Sequence, residues 1–177
     1  IQMPPWSEDQ LRGMIMRRMR HSRYGVSFSD LVVTHVEGMS ASVQIGRTSA
    51  GYFRLLWDLT DGNPRLAGHF WLDSLVPQPD DRMVQVHLFA APDIEELEGL
   101  SDDILFVLTA VTEHQNLTPG EAAAVTNLKL DFCNFAVRLC LEEGYLEPER
   151  DGGRVRLSRR WQVPIVRYLK RRHLLYG

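Results

Sequence analysis

The stretch that most restricts the fold is "YLEPERDGGRVRLS", residues 145–158. Two short predicted strands flank an Asp-Gly-Gly turn, and this pattern is the strongest local hairpin signal in the chain. Helical patterns stand on both sides of it, "KLDFCNFAVRLCLEEG" before and "RRWQVPIVRYLKRRHLL" after. A hairpin set between helices must pack one of its faces against them, so few architectures fit this part of the chain.

The residues before the hairpin predict a strand and two further helices. "MVQVHLFAAP" alternates apolar and polar residues as a half-exposed strand does. "ILFVLTAVTEHQN" has a helical apolar pattern, and in "LTPGEAAAVTN" Thr118, Pro119 and Glu121 stand as N-cap, first-turn proline and capping-box acid. The order strand, helix, helix, helix, hairpin, helix predicts a winged-helix domain over 79–177, a helix-turn-helix relative whose leading strand would join the hairpin. Five residues are expected to face inward from the third helix: Phe132, Phe135, Ala136, Leu139 and Cys140.

The first part of the chain predicts a helical bundle. Ser7 with Gln10 forms a capping-box pattern, and a short second helix is expected near Ser27. A loop containing Gly38, Gly46 and Gly51 follows, and "SAGYFRLLWDLTDG" predicts a helix that ends at Gly62. With the helix that starts at "NPR", residues 1–76 are expected to form an all-α unit of about four helices. The predicted boundary is the Pro-rich and acidic "VPQPDD", so the first domain is 1–78.

The predicted fold class is therefore mainly α, a small helical lid-like bundle followed by a winged-helix (α+β) domain. A hydrophobic content of 44% and a charged content of 24% are typical of globular proteins. The net charge of -3 gives no general attraction to nucleic acid or anionic lipid. Neither a membrane-spanning run nor a leader pattern is found, and Cys133 and Cys140 are expected to be buried thiols of a cytoplasmic protein. A start at Ile1 suggests a piece of a longer polypeptide.

The sequence lacks the motifs for nucleotide binding, metal binding and nucleophilic catalysis. There is no GxxxxGK[ST] loop, so the chain alone is not expected to hold a nucleotide in the P-loop manner. No histidines and cysteines have metal-ligand spacing, and no serine has a nucleophile-elbow context. Catalysis by this chain alone is not expected.

One charge is unusually placed. In "TDGNPRLAGHFW", Asn63 is the expected N-cap, Pro64 takes the first helical position and Arg65 lies in the first turn. The helix N-terminus already has a positive dipole end, so an arginine fork there suits an anion such as phosphate. The alternative is that Arg65 merely pairs with Asp58 or Asp61.

These motifs resemble the C-terminal part of AAA+ and related STAND-class P-loop ATPases. "IQMPPWSEDQLRGMI" is similar to the exit from the last core strand into the lid, and "TDGNPRLAGHFW" is similar to the sensor-2 turn and helix. The resemblance implies that Arg65, with Asn63 and Pro64, approaches the ATP γ-phosphate. It also implies that ATP and Mg are held by an upstream ATPase core, so that the full-length protein would be the ATPase.

The predicted winged helix leaves the kind of partner open. The last 29 residues contain nine Arg or Lys and two acids, which favours DNA. The residues between 129 and 143 expected to face outward include acids, Asp131 and Glu142 among them, which favours a protein partner or self-association. Three hypotheses stay open: the ATPase sensor, a DNA-binding module and a protein-interaction scaffold. The candidate DNA contacts are Lys129, Arg138, Arg154, Arg156, Arg159 and Arg160.

Overall fold

The computed structural model describes residues 4–28, 49–79, 82–150 and 153–175. These residues are mainly helical, as predicted, and divide into two compact units, Ile1–Ala91 and Pro92–Gly177. The described helices are α1 Glu8–Ser22, α2 Ser49–Thr60, α3 Pro64–Asp73, α4 Asp102–His114, α5 Pro119–Thr126, α6 Leu130–Glu142 and α7 Gln162–Arg171. The described strands are β1 Gly25–Ser27, β2 Leu75–Pro77, β3 Met83–Val86, β4 Leu146–Pro148 and β5 Val155–Leu157, and a 3-10 turn covers Ile94–Leu97. Among the described residues, no helix is long and apolar enough to cross a membrane.

The first unit contains α1 to α3 and a three-stranded sheet in the order β1-β3-β2. β1 is parallel to β3, with Gly25 opposite Met83, and β2 is antiparallel to β3, with Leu75 opposite Val86. The expectation of an all-α unit was therefore wrong. Ser27 lies in β1, and the stretch after Phe28, where a short second helix was expected, lies outside the described residues. The predicted loop around Gly38 and Gly46 lies outside the described residues, while Gly51 lies within α2.

The unit boundary also differs from the predicted 78/79. β3 pairs with β1 and β2 and so belongs to the first unit, which places the division between Ala91 and Pro92. The prediction that this strand joins the hairpin was wrong, because its backbone groups are used within the sheet of the first unit.

An aromatic cluster fills the core of the first unit. Tyr52 and Phe53 meet edge to face at 5.5 Å between ring centroids, and Phe53 stacks on Trp71 at 5.8 Å. The Tyr52 hydroxyl donates to Ser74 Oγ at 2.8 Å, and burial raises the pKa of that hydroxyl. These contacts hold α2 against α3, the helix that carries Arg65.

The second unit has the predicted order of three helices, a hairpin and a final helix. β4 and β5 are antiparallel, with Leu146 opposite Leu157. Leu117, just before α5, forms an isolated antiparallel bridge to Val155. Leu117 therefore lies beside the hairpin, where the leading strand was expected, and the unit combines helices with a short antiparallel hairpin.

The core of the second unit lies between α4, α6 and α7. Leu105, Leu108, Cys133, Cys140 and Ile165 are all fully buried. Both cysteines are free and buried, as predicted, and burial raises the pKa of the Cys140 thiol to about 12. Phe135 is instead 47% exposed, so its predicted inward position was wrong. The buried face of α6 is set by Cys133, Ala136, Val137 and Cys140, and Phe135 lies outside it.

Candidate functional site

The turn before α3 is fixed by contacts with the N-terminal segment. The backbone N–H of Trp6 donates to Gly62 O at 2.9 Å, and Trp57 Nε1 donates to Trp6 O at 2.8 Å. Gly62 has a φ of 68°, and a Cβ built there would lie 2.4 Å from Trp6 O. Only glycine fits both the left-handed conformation and the close approach. The "PPW" and "DGN" segments are therefore held together as one structural element.

The N-terminus of α3 is capped by its own residues. Asn63 Oδ1 accepts from the backbone N–H of Arg65 at 3.0 Å and of Leu66 at 3.3 Å, which confirms the predicted N-cap. Ala67 N donates to Asn63 O at 2.9 Å, and Pro64 has no N–H. The first four positions of the helix therefore leave no open backbone donor for an anion. Any phosphate at this end has to be contacted by side chains, with the helix dipole as an added attraction.

Arg65 is exposed, and a second arginine lies on the same face of α3. The Arg18 guanidinium of α1 lies 3.7 Å from the position that a Cβ on Gly68 would occupy. Residues i and i+3 are neighbours on a helix surface, so Arg65 and Gly68 share a face. Arg18 therefore extends the positive charge of Arg65 along α3. Arg18 is not among the residues predicted from the sequence; Gly68, a glycine inside a helix, shows only that a side chain from another element can approach there.

His69 lies one turn after Arg65 on this face. Its Nε2 is 3.5 Å from Asp73 Oδ2 within the helix. The carboxylate of Asp73 lies about two turns from Arg65 along α3. We call the group of Arg18 and Arg65 the arginine pair.

Arg154 joins the hairpin to the start of α5. Its Nη1 donates to Asn116 Oδ1 at 2.9 Å, and its Nη2 forms an ion pair with Glu121. Glu121 also completes the predicted capping box, with Thr118 N donating to Glu121 Oε2 at 2.8 Å. That backbone hydrogen bond, together with the hydroxyl of Thr118 and the Arg154 charge, holds the pKa of Glu121 below its ordinary value. Arg154 thus stabilises the contact between the hairpin and the start of α5.

Arg156 is engaged in the same way on the hairpin itself. Its Nε donates to Glu147 Oε1 at 2.8 Å and its Nη1 to Glu149 Oε1 at 2.9 Å. A guanidinium that already binds two carboxylates has most of its donors satisfied. Two of the six predicted DNA contacts are therefore committed to partners within the unit.

The remaining four candidate DNA contacts are differently placed. Lys129 is exposed at the N-cap of α6 and Arg138 is exposed on its outer face, whereas Arg159 is half-buried and Arg160 is exposed just before α7. None of the four makes an ion pair with another residue in the described ranges. Arg171 pairs with Glu98 at 3.3 Å, and Arg172 pairs with Asp102 at 3.0 Å. The positive charge near the end of the chain is therefore partly neutralised.

No cluster of three or more metal-ligating His, Cys, Asp or Glu side chains occurs in the part of the chain that the structure describes. Comparison with known proteins gave no match to a protein-family model and none to a curated protein. The functional interpretation consequently depends on the contacts described above.

Proposed function

We propose that this chain is the C-terminal sensing and docking part of a cytoplasmic AAA+ or STAND-like ATPase. The first unit responds to ATP and Mg held by an upstream P-loop core, and the second unit is a winged helix that contacts other proteins. The observation that carries the proposal is the arginine pair, Arg18 beside Gly68 and Arg65 in the first turn of the same helix.

The charge of this site favours a phosphate ligand. Two exposed arginines, Arg18 beside Gly68 and Arg65 in the first turn, add positive charge along α3 in a chain whose net charge is -3. Arginine is the side chain best suited to phosphate, because its planar fork donates two parallel hydrogen bonds. Asn63 saturates the backbone donors of α3, so recognition here is by Arg18 and Arg65.

The hydrogen bonds that fix the turn before α3 support a role in coupling the ATPase core to the position of Arg65. Trp6 is bonded to Gly62 and to Trp57, so the segment that enters the first unit is tied to the turn that starts α3. A displacement of that segment moves the start of α3 with it, because Gly62 has no free space toward Trp6 O. An ATPase core attached through this segment would therefore reposition Arg65 when it opens or closes.

The second unit is better suited to protein contacts than to DNA. Arg154 and Arg156 are held by carboxylates of the unit, and the outer face of α6 presents Asp131 and Glu142 beside Arg138. Acids on that face oppose the phosphates that line a DNA groove. A protein surface can accept both signs of charge.

The test is ATP turnover by the polypeptide that joins this chain to its P-loop core. Arg65→Ala should lower turnover at least about tenfold, since an arginine on the γ-phosphate acts mainly on the transition state. Arg20→Ala is the matched control, because Arg20 is exposed on α1 two residues, roughly 200° of helical rotation, from Arg18.

Unchanged turnover in Arg65→Ala would contradict the sensing role. A polypeptide that has no P-loop core beside this chain would overturn the whole proposal. Far-ultraviolet circular dichroism should show an unchanged fold for both Arg65→Ala and Arg20→Ala, because both arginines are exposed.

A further inference from the structure

The outer face of α6 carries an ordered stripe of exposed side chains. Asp131, Phe135, Arg138 and Glu142 follow one another at spacings of four, three and four residues, which puts them on one face of the helix. We call these four residues the α6 stripe. Its order is acid, aromatic, base, acid.

The centre of the α6 stripe is apolar. Phe135 is 47% exposed, and its ring lies 6.2 Å from that of Phe132 between centroids. A large aromatic side chain in the middle of an exposed helix face is typical of an interface anchor.

The charges of the stripe are not used inside the unit. Within the described residues, neither Asp131 nor Arg138 takes part in an ion pair. Arg154 and Arg156 in the same unit are bound to carboxylates. The stripe therefore keeps charges of both signs available on either side of its aromatic centre.

A second copy of this chain complements the stripe. Asp131 and Arg138 are equally far from the point between Asn134 and Phe135. In an antiparallel helix pair with a two-fold axis at that point, each Asp131 lies opposite Arg138 of the second copy, and Phe135 packs at the centre. Glu142 then lies near the start of α6 of the second copy, where Lys129 and the positive dipole end attract it.

We propose that two copies of this chain associate through their α6 helices, antiparallel and centred on Phe135. One helix pair buries less surface than a standard interface, so we expect the dimer to be weak. This association does not depend on the ATP-sensing role proposed for the first unit, and it names a second copy of the chain as a partner of the second unit.

Sedimentation velocity across protein concentration, from about 10 µM to about 1 mM, tests the proposal. The wild-type chain should shift from the mass of one chain towards that of two. Phe135→Gln should weaken association at least about tenfold, because it removes the apolar centre of the interface. Phe106→Gln is the matched control: Phe106 is an equally exposed phenylalanine, at 43%, on α4 of the same unit.

Charge reversal tests the antiparallel register. Asp131→Arg alone and Arg138→Asp alone should each weaken association about tenfold, because each puts like charges opposite one another twice in the dimer. The double variant should restore it to within about threefold of wild type. Absence of wild-type association, equal effects of the two phenylalanine variants, or failure of the double variant to recover would each overturn the proposal. So would a monomer that binds a DNA duplex through Arg138.

Discussion

At the scale of single residues, the start of α3 is determined by two neighbouring positions. Asn63 closes the N-terminus through its side chain, and Gly62 lets the chain reach it through a left-handed turn against Trp6. The N-cap and the left-handed turn depend on the nearest few residues and were predictable from "DGNP", whereas the approach of Trp6 to Gly62 was not, because it joins distant parts of the chain. Arg18 was not predictable as a partner of Arg65, because the two helices that carry them meet only in the folded unit.

Gly62→Ala should destabilise the protein by about 2 to 4 kcal/mol, through the left-handed φ and the close approach of Trp6 O. Urea unfolding followed by tryptophan fluorescence measures this, since Trp6 and Trp57 lie at the turn. The control is Gly13→Ala in the middle of α1, where a Cβ has no neighbour within 4 Å. That variant should gain about 0.5 to 1 kcal/mol from helix propensity. Equal effects at the two positions would contradict the bracing described for Gly62.

At the scale of elements, local patterns predicted the helices and the hairpin, while the sheet of the first unit was missed. Its strands β1 and β2 have three residues each, and β1 pairs with a strand far along the chain, Gly25 with Met83. Such short strands have no periodicity to detect, and the pairing that creates them is long-range. Phe135 was misplaced for a similar reason. Its spacing from Phe132 fits an inward stripe, but the packing of Cys133, Ala136 and Cys140 sets the buried face.

The link between α5 and the hairpin predicts a pH effect on stability. The pKa of Glu121 is lowered in the folded protein, so its contribution is present above the ordinary glutamate pKa and is lost as the pH falls through the folded value. Glu121→Gln keeps a capping side chain but removes the charge that pairs with Arg154. The variant should melt below wild type at neutral pH, and the two should converge once the pH falls below the lowered pKa of Glu121 in the folded protein.

Differential scanning calorimetry at several pH values measures this difference. Glu113→Gln, at an exposed glutamate on α4 with no ion pair among the described residues, is the control for loss of a carboxylate as such. If the melting temperature of Glu121→Gln stays below wild type by the same amount at acid pH, the shape of the side chain, and not its charge, is responsible.

At the scale of the whole molecule, the chain forms two compact units, and the proposed function assigns phosphate sensing to the first and partner binding to the second. The nine basic residues near the end of the sequence suggested DNA, but several of them bind carboxylates of their own unit. Charge counts along a sequence cannot show such pairing, because the acids that neutralise a base come from other elements of the fold.

DNA affinity should therefore be weak and only mildly dependent on salt. With four candidate contacts remaining, the slope of log K against log salt should not exceed about 4, at about 0.9 for each phosphate contact. Arg156→Ala should leave that slope unchanged, since Arg156 is bound to Glu147 and Glu149. Fluorescence anisotropy of a labelled duplex across a salt series measures both. A steeper slope that Arg156→Ala reduces would restore the DNA-binding hypothesis.

A double-mutant cycle of ATP turnover, in the polypeptide with its P-loop core, tests whether Arg18 and Arg65 act together on one phosphate. Each alanine variant should lower turnover, Arg65→Ala more than Arg18→Ala. The double variant should be no slower than Arg65→Ala by more than about twofold, because the two losses overlap at one site. Losses that multiply fully, or an Arg18→Ala variant that turns over ATP at the wild-type rate, would contradict the claim.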